Sequence, residues 1–391
     1  MPDRDRHQRP ETDAKWRSAL RRRLIDWFHR EGRTLPWRSE PTPYRVWVSE
    51  IMCQQTQIAT VLPYFERFMD AYPDVRALAD AEEQELMRLW EGLGYYRRAR
   101  SMHQAARQII ERHGGEFPLN FDDVLALPGV GRYTAGAILS ISTNQAYPIL
   151  EGNTQRVFAR WIGWSRPVGE RESQKRLWAF AEAMVPKRQS SDRHRGPAAF
   201  NQAAMELGAL ICTPKQPACD RCPAATRCVA KREGLQETIP GRVSRVQYET
   251  RHEYALVLRD EQGRWLGRII PAGSRYAGMW ELPRVGPPEA TDLASAEQWL
   301  ATQLGGRVTA GARLTTIRHG VTKYRMVVDV HVARWQPPLA SQVSDPRSSG
   351  ELQAEEWSFR HPEELRELPM GVTTRKIVRL QQSERQDLFL I

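Results

Sequence analysis

Four of the five cysteines fall in one short stretch, Cys212, Cys219, Cys222 and Cys228, spaced C-x6-C-x2-C-x5-C. Four soft thiolates on one tight loop can hold a metal ion or an iron–sulfur cluster. A disulfide knot is the poorer reading, because a chain of 391 residues buries an ample core without staples and its start carries no secretory signal. Structural zinc sites usually pair two C-x2-C knuckles, and only one is present here. Spacing alone leaves zinc and cluster even. The fifth cysteine, Cys53, sits in an apolar helical stretch and reads as a small core residue.

Other stretches suggest chemistry of a different kind. Leu127-Pro-Gly-Val-Gly-Arg-Tyr-Thr-Ala-Gly136 forces a tight turn that opens directly into a helix. Unpaired N–H groups at such a turn, beside the positive end of a helix dipole, suit one phosphate. Contact through Gly129, Val130 and Gly131 would be blind to nucleotide sequence. Glu50 stands alone in an apolar helix, where a carboxylate is unusual; a solvent-facing charge is the plain alternative. The polar run Gln54-Gln55-Thr56-Gln57 carries amides and a hydroxyl able to read base edges.

The elements that must position these groups divide the chain. Residues from about 15 to 230 carry helical periodicity, as in Trp16 to Arg30 and Ser101 to His113, the latter capped by Gly114-Gly115. Phe200 to Ile211 predicts a helix leading into the cysteines, and Lys215, Arg221, Arg227, Lys231 and Arg232 rim that loop with cations suited to a phosphate. From about 250 onward strands and turns dominate. Tyr254 to Leu258, a turn at Asp260-Glu-Gln-Gly263, and Trp265-Leu266 predict a hairpin, and Tyr324 to Trp335 alternates as a strand. Lys231 to Arg251 reads as a linker; Lys187 to Gly196 and Leu339 to Leu352 read as inserted loops.

Composition agrees with a nucleic-acid partner. Lys and Arg total 57 against 47 Asp and Glu, a net charge of +10 weighted towards arginine. No apolar run approaches the roughly 18 residues of a membrane span. The charged start has no apolar signal region, so a cytoplasmic protein is expected, and no oligomerisation signal argues against a monomer.

The cysteine loop resembles the [4Fe-4S] loop of the endonuclease III and MutY DNA glycosylases. The Leu127–Gly136 turn resembles their helix-hairpin-helix. Leu35-Pro-Trp-Arg38 and Pro43 to Gln57 closely resemble the MutY signature, so the chain is identified as a member of the MutY adenine DNA glycosylases, which act on adenine opposite 8-oxoguanine. The resemblance implies a [4Fe-4S] cluster on Cys212, Cys219, Cys222 and Cys228. It implies Glu50 as general acid, with Tyr133 and Asn153 positioning a second carboxylate and the attacking water. Gln55 and Thr56 would contact the oxidised guanine, Tyr95 of Gly92-Leu-Gly-Tyr-Tyr96 would wedge into the base stack, and Arg38 would line the adenine pocket. Tyr133 stands where lyase-type relatives carry a Schiff-base lysine; a phenol cannot form that imine, so a monofunctional enzyme is expected.

One position departs from the pattern. The family's Asp-Gly-Asn reads Glu151-Gly-Asn153 here. The extra methylene moves the carboxylate by about 1 Å if the backbone stays put, a misplacement able to cost about 100-fold in rate. Either the backbone accommodates Glu151, or the enzyme is slow, or the pocket is retuned as a glycosylase for another mispaired base; a non-catalytic or retuned mismatch-binding protein is the alternative of a different class, and accommodation is favoured because Glu50, Tyr133 and Asn153 all match.

Residues from about 250 to 375 resemble a Nudix domain through the predicted hairpin and Gly278-Met-Trp-Glu-Leu-Pro283. Its Leu293–Leu304 stretch holds one glutamate, Glu297, where a hydrolase needs a cluster, so no pyrophosphohydrolase activity is expected. In the family this domain checks for 8-oxoguanine with a Phe-Ser-His loop; here Val321-Thr322-Lys323 stands in its place, Thr322 keeping a hydroxyl and Lys323 a donor. Arg385 to Ile391 resembles a sliding-clamp peptide, with packing on its own domain as the plain alternative. The expected layout is a multidomain protein: a tail over 1–14; an all-α glycosylase domain over 15–230, with the helix-hairpin-helix at 127–136 and the cluster loop at 212–228; a linker over 231–250; an α/β Nudix-like domain over 251–378; and a tail over 379–391. The expected partner is duplex DNA with adenine opposite 8-oxoguanine or guanine.

Overall fold

The computed structural model describes residues 13–187, 193–241, 248–271, 273–274, 276–321, 323–337 and 357–387. Thr322, most of the 1–14 tail, 242–247 of the linker, the Leu339–Leu352 loop, part of the Lys187–Gly196 loop and the last four residues of the clamp-like tail lie outside the described residues. The chain forms two compact units, one from residues up to 81 with 100–244, the other from 82–99 with 245 onward. The sequence places 82–99 inside the helical region, whereas its contacts group it with the second unit.

The first unit is helical. Ala14–Glu31 is capped by Asp13, whose side chain accepts the Lys15 N–H, and it buries Leu20, Leu24 and Trp27 on one face. That face joins Phe158, Trp161, Phe180 and Phe200 in one core. Pro43–Cys53 begins with proline at its first turn, where no N–H is needed, and Thr42 caps it. It packs against Arg132–Thr143, which is buried from Thr134 to Ser142. At Gly136 an added Cβ would come within 2.6 Å of the Pro148 carbonyl oxygen, so only glycine lets the backbones approach there. Gly208 plays the same part for Gly152–Ile162 against Pro197–Leu210: its Cβ would meet that of Asn153 at 2.6 Å. The start of the expected linker is packed in this unit, since Ile239 is buried and its carbonyl accepts the Arg160 Nε–H at 2.9 Å.

The second unit is mixed α/β. Its strands are β1 (Glu249–Leu258), β2 (Trp265–Ile269), β3 (Trp280–Glu281), β4 (Arg284–Val285), β5 (Arg307–Val321), β6 (Tyr324–Gln336) and β7 (Trp357–Arg360). One sheet runs β4-β1-β6-β5 and the other β3-β2-β7. The expected β1–β2 hairpin is not formed: β1 pairs in parallel with β6 and β2 pairs with β3 and β7, leaving a single bridge, Arg259 to Trp265. The turn at Asp260 exists, with Gly263 donating to its carbonyl, but the apolar faces of β1 and β2 are satisfied in different sheets. β5 and β6 form the long hairpin, with Val321 opposite Tyr324. Leu293–Leu304 is closed at its start by an Asp292–Ser295 capping box. Within this unit Glu91 receives a bidentate fork from Arg375, at 2.6 and 2.7 Å, which fastens the 82–99 segment to the Val372–Asp387 helix. Among the described residues no helix is long and apolar enough to cross a membrane.

Candidate active site and cysteine loop

Glu50 lies on the buried face of Pro43–Cys53 and is 7% exposed, so the solvent-facing alternative does not hold. The Tyr133 hydroxyl, from the first turn of Arg132–Thr143, donates to Glu50 Oε2 at 2.5 Å. Burial pushes Glu50 up to about 7; the Glu151 charge adds to this, while the Tyr133 hydrogen bond and Arg38 oppose it. Burial likewise carries Tyr133 well above the usual phenol range, with Glu50 and Glu151 adding to the rise. Tyr133 therefore remains a neutral donor. Two carboxyls and a phenol share one desolvated field, and one of the carboxyls is poised to carry a proton at neutral pH.

Glu151 caps Gly152–Ile162. Its Oε2 accepts the Asn153 N–H at 2.7 Å and its Oε1 the Thr154 N–H at 2.8 Å, while the Thr154 hydroxyl accepts the Glu151 N–H at 2.8 Å. The extra methylene is thus folded back onto the helix start, and both carboxylate oxygens are fixed there. Burial raises Glu151 against the two backbone donors, which favour its charged form. Asn153 Oδ1 accepts from Arg156 Nη2 at 2.8 Å, and Arg156 also reaches the carbonyls of Gly208 and Cys212.

Arg38 is held by a carboxylate that sequence reasoning missed. Glu206, 1% exposed, takes Arg38 Nη2 at 2.8 Å and Arg33 through Nε at 2.8 Å and Nη2 at 2.9 Å. Burial alone would raise Glu206, but these hydrogen bonds bring it down to about 2. Arg156 and Arg160 were missed as well. Both stand one turn apart on the helix after Glu151, and a pair of arginines at that spacing on an amphipathic helix was the available signal.

Gln54, Gln55 and Thr56 lie in the turn beyond Pro43–Cys53 rather than in the helix. Gln54 Nε2 reaches the Thr134 hydroxyl at 3.5 Å, and Gln55 is exposed with φ 56°. At the helix-hairpin-helix turn Gly129 has φ 78°, and a Cβ there would sit 2.7 Å from Ser101 Cβ. Val130 is buried and its N–H is spent on the Leu127 carbonyl, so an anion would meet Gly129, Gly131 and the first helical turn instead. Gly131 caps Arg132–Thr143 with no side-chain hydrogen bond. In the second unit Tyr95 is 54% exposed with φ 50°, and Lys323 immediately precedes β6, its ammonium 5.2 Å from the Tyr324 ring centroid. Glu297 Oε1 accepts the Ala310 N–H at 2.5 Å, so the lone glutamate of that helix is used structurally.

The four cysteines are free thiols, each partly buried. Cys212, Cys222 and Cys228 pack against the helical core. Arg160 Nη1 lies 3.2 Å from Cys212 Sγ, and Cys228 Sγ lies 3.4 Å from the Arg160 carbonyl. Burial pushes Cys222 up to about 12 and Cys228 to about 11, with the neighbouring thiols adding to both. In the present geometry no set of three or more His, Cys, Asp or Glu among the described residues is drawn into a metal-binding group. The donor set still fits a [4Fe-4S] cluster: four soft thiols feel one another's charge, and the buried Arg160 stands beside them to offset it.

Residues 48–183 match the HhH-GPD superfamily of base excision DNA repair proteins, and residues 254–380 match the NUDIX domain. An adenine DNA glycosylase of Buchnera aphidicola subsp. Schizaphis graminum is 41% identical over 54% of this chain and 59% of its own length. That of Buchnera aphidicola subsp. Acyrthosiphon pisum is 36% identical over 62% of this chain and 68% of its own. The adenine DNA glycosylase of Mus musculus is 40% identical over 58% of this chain and 45% of its own. Two of these three relatives are therefore matched over less than two thirds of their length.

Proposed function

The chain belongs to the adenine DNA glycosylase family, and from that membership we propose that it removes adenine mispaired with 8-oxoguanine or guanine from duplex DNA. The reaction is hydrolysis of the N-glycosidic bond. The observation that carries this reading is the Glu50–Tyr133 pair, a buried carboxyl raised to about 7 and held at 2.5 Å by a phenol.

The roles follow from the atoms. Tyr133 occupies Glu50 Oε2, which leaves Oε1 to present a proton to the adenine ring. As the bond to C1′ breaks, its electrons go to the protonated base and the sugar acquires oxocarbenium character. Glu151, pinned at a helix start, supplies the opposing negative charge. Water adds to C1′ and gives its proton to a carboxylate. The adenine is first turned out of the stack, at a cost of a few kcal/mol. With Tyr133 in place of a lysine, no imine forms and the product is an abasic site.

Duplex DNA would be held through its backbone at Gly129, Gly131 and the first turn of Arg132–Thr143, with Tyr95 as the wedge. Gln55 and Thr56, together with Thr322 and Lys323, would contact the oxidised guanine. Cys212, Cys219, Cys222 and Cys228 would hold a [4Fe-4S] cluster, which when bound orders their basic loop. The terminal peptide remains a proposed clamp contact, and the protein a proposed monomer acting in the cytoplasm.

The test is single-turnover cleavage of duplexes carrying adenine opposite 8-oxoguanine, guanine or thymine, with the Glu151→Asp variant alongside. Rapid adenine release opposite 8-oxoguanine by the unaltered chain is the expected result. No release from either protein would overturn the reading, and rescue by aspartate alone would mean that Glu151 has disabled the reaction.

A further inference from the structure

Tyr133 stands in the first turn of Arg132–Thr143, and Gly136 and Ser140 follow it at helical spacing on the same face. After Asn144, in the left-handed region at φ 60°, the chain turns back along that face towards Glu151. The Pro148 carbonyl oxygen passes close to Gly136, 2.6 Å from where a Cβ would stand. Ile149 and Leu150 are buried. Glu151 ends this return segment, near enough to Tyr133 and Glu50 for its charge to act on both. How the segment is seated on the helix therefore decides where Glu151 stands relative to Glu50.

A buried amide holds that seat. Asn201, on Pro197–Leu210, is 0% exposed. Its Nδ2 donates to Ser140 Oγ at 2.8 Å and to the Tyr147 carbonyl at 2.9 Å. A carbonyl can only accept, so the amide is fixed with its NH2 towards the segment. One nitrogen thus ties the helix of Tyr133 to the segment that ends in Glu151. The Tyr147 ring stacks on Phe121, with centroids 4.7 Å apart. Asn201 Oδ1, in contrast, is buried without a hydrogen-bond partner among the described residues. An orphaned acceptor costs stability, and an apolar side chain of the same shape would avoid it, so the two donated bonds are what the amide contributes. The same helix carries Glu206, which holds Arg38, and Gly208, which seats Asn153.

We propose that Asn201 is a positioning residue for base removal: by tying Tyr147 to Ser140 it sets the distance between Glu151 and the Glu50–Tyr133 pair. This rests on the glycosylase reading. Asn201 acts through the backbone and not on the substrate. Without the tie the return segment lifts from the helix and carries Glu151 with it, and a shift of about 1 Å can cost about 100-fold in rate. Three groups face Glu50: Tyr133 from Arg132–Thr143, Glu151 from the return segment, and Arg38. Glu151 raises its proton affinity, whereas Tyr133 and Arg38 lower it, so a receding Glu151 leaves Glu50 more acidic.

Asn201→Leu in the full chain tests this, since leucine keeps the shape and donates nothing. Single-turnover cleavage of the adenine:8-oxoguanine duplex should slow about 10- to 100-fold, with duplex affinity kept within about threefold. The titration midpoint of Glu50, followed by carboxyl 13C NMR and assigned with Glu50→Gln, should fall below that of the unaltered chain. Phe200→Leu, on the same helix, opens the core without touching the amide; it should lower the melting temperature at least as far and keep the rate within about threefold. An unchanged rate in Asn201→Leu, an unmoved Glu50 midpoint, or equal slowing in Phe200→Leu would each overturn the proposal. If Asn201→Leu does not fold, Ser140→Ala decides: it frees the amide from the helix and should slow cleavage about threefold or more, an unaltered rate being the overturning result. The midpoint is read without DNA. A chain that releases no adenine would sink the glycosylase reading, while a fallen midpoint would still support the tie.

Discussion

The Tyr133 hydroxyl and Glu50 Oε2 lie 2.5 Å apart, a buried phenol fixing one oxygen of a buried carboxyl. Burial lifts both groups, so the phenol stays protonated while the carboxyl titrates near neutrality. The hydrogen bond takes up one carboxyl oxygen and opposes the rise in proton affinity that burial imposes on Glu50.

Glu50 must be protonated to act as an acid, and its value is about 7. The single-turnover rate should therefore be level below pH 7 and fall about tenfold per unit above it. Glu50→Gln should lose cleavage while keeping duplex binding; unchanged cleavage would remove Glu50 from the role. Stability follows the same group. The folded value lies above the ordinary 4.5, so the folded state holds the proton more tightly, and stability falls as pH rises from about 4.5 through 7. Glu50→Gln should then be more stable than the unaltered chain at pH 8, by up to about 3 kcal/mol, and nearly equal at pH 4. Urea midpoints at the two pH values check this.

Glu151 is the N-cap of Gly152–Ile162 and uses both oxygens to hold it. Aspartate is the better N-cap residue, so Glu151→Asp should melt within about 0.5 kcal/mol of the unaltered protein. Glu151→Ala loses the cap and should cost about 1–2 kcal/mol as well as cleavage. Thermal melts of the two variants distinguish a cap from a side chain that merely points into the site.

Glu206 binds Arg33 and Arg38 from a buried position. Its value is about 2, below the ordinary 4.5, so its stabilising contribution is present above about 4.5 and is lost as pH falls towards 2. Glu206→Gln should cost about 2–4 kcal/mol at pH 7 by leaving two cations with a neutral partner. That cost should shrink on acidification. A constant deficit from pH 7 to pH 3 would contradict the assignment.

Arg375 and Glu91 fasten residues 82–99 to the rest of the second unit, both side chains being about 15% exposed. Glu91→Ala should lower stability by about 2–3 kcal/mol, and proteolysis should then open the 82–99 segment before the helical unit. Cleavage elsewhere first would mean that the fork contributes little.

Residue types and spacing were enough to make much of this protein legible. The helix after Gly131 follows from a Pro-Gly-x-Gly turn that leaves N–H groups open, and β6 follows from a period of two between Tyr324 and Trp335. Glu50, Tyr133 and Glu151 were singled out because each stands in a short motif that resembles the family's. The β1–β2 hairpin failed for a physical reason: two apolar strands joined by a turn pair with one another only if no other strand satisfies them better, and β6 lies far along the chain. Glu206 was invisible because nothing local marks a glutamate whose partners, Arg33 and Arg38, come from more than 160 residues away. The sequence by itself determined which groups could do chemistry, since protons, thiolates and turn-forming glycines are properties of residue type. Only the tertiary structure decided that Glu50 is buried against Tyr133, that the longer Glu151 folds back onto its own helix, and that Asn201 bonds both Ser140 and Tyr147. Each of these depends on which distant segments pack together and how much water they exclude.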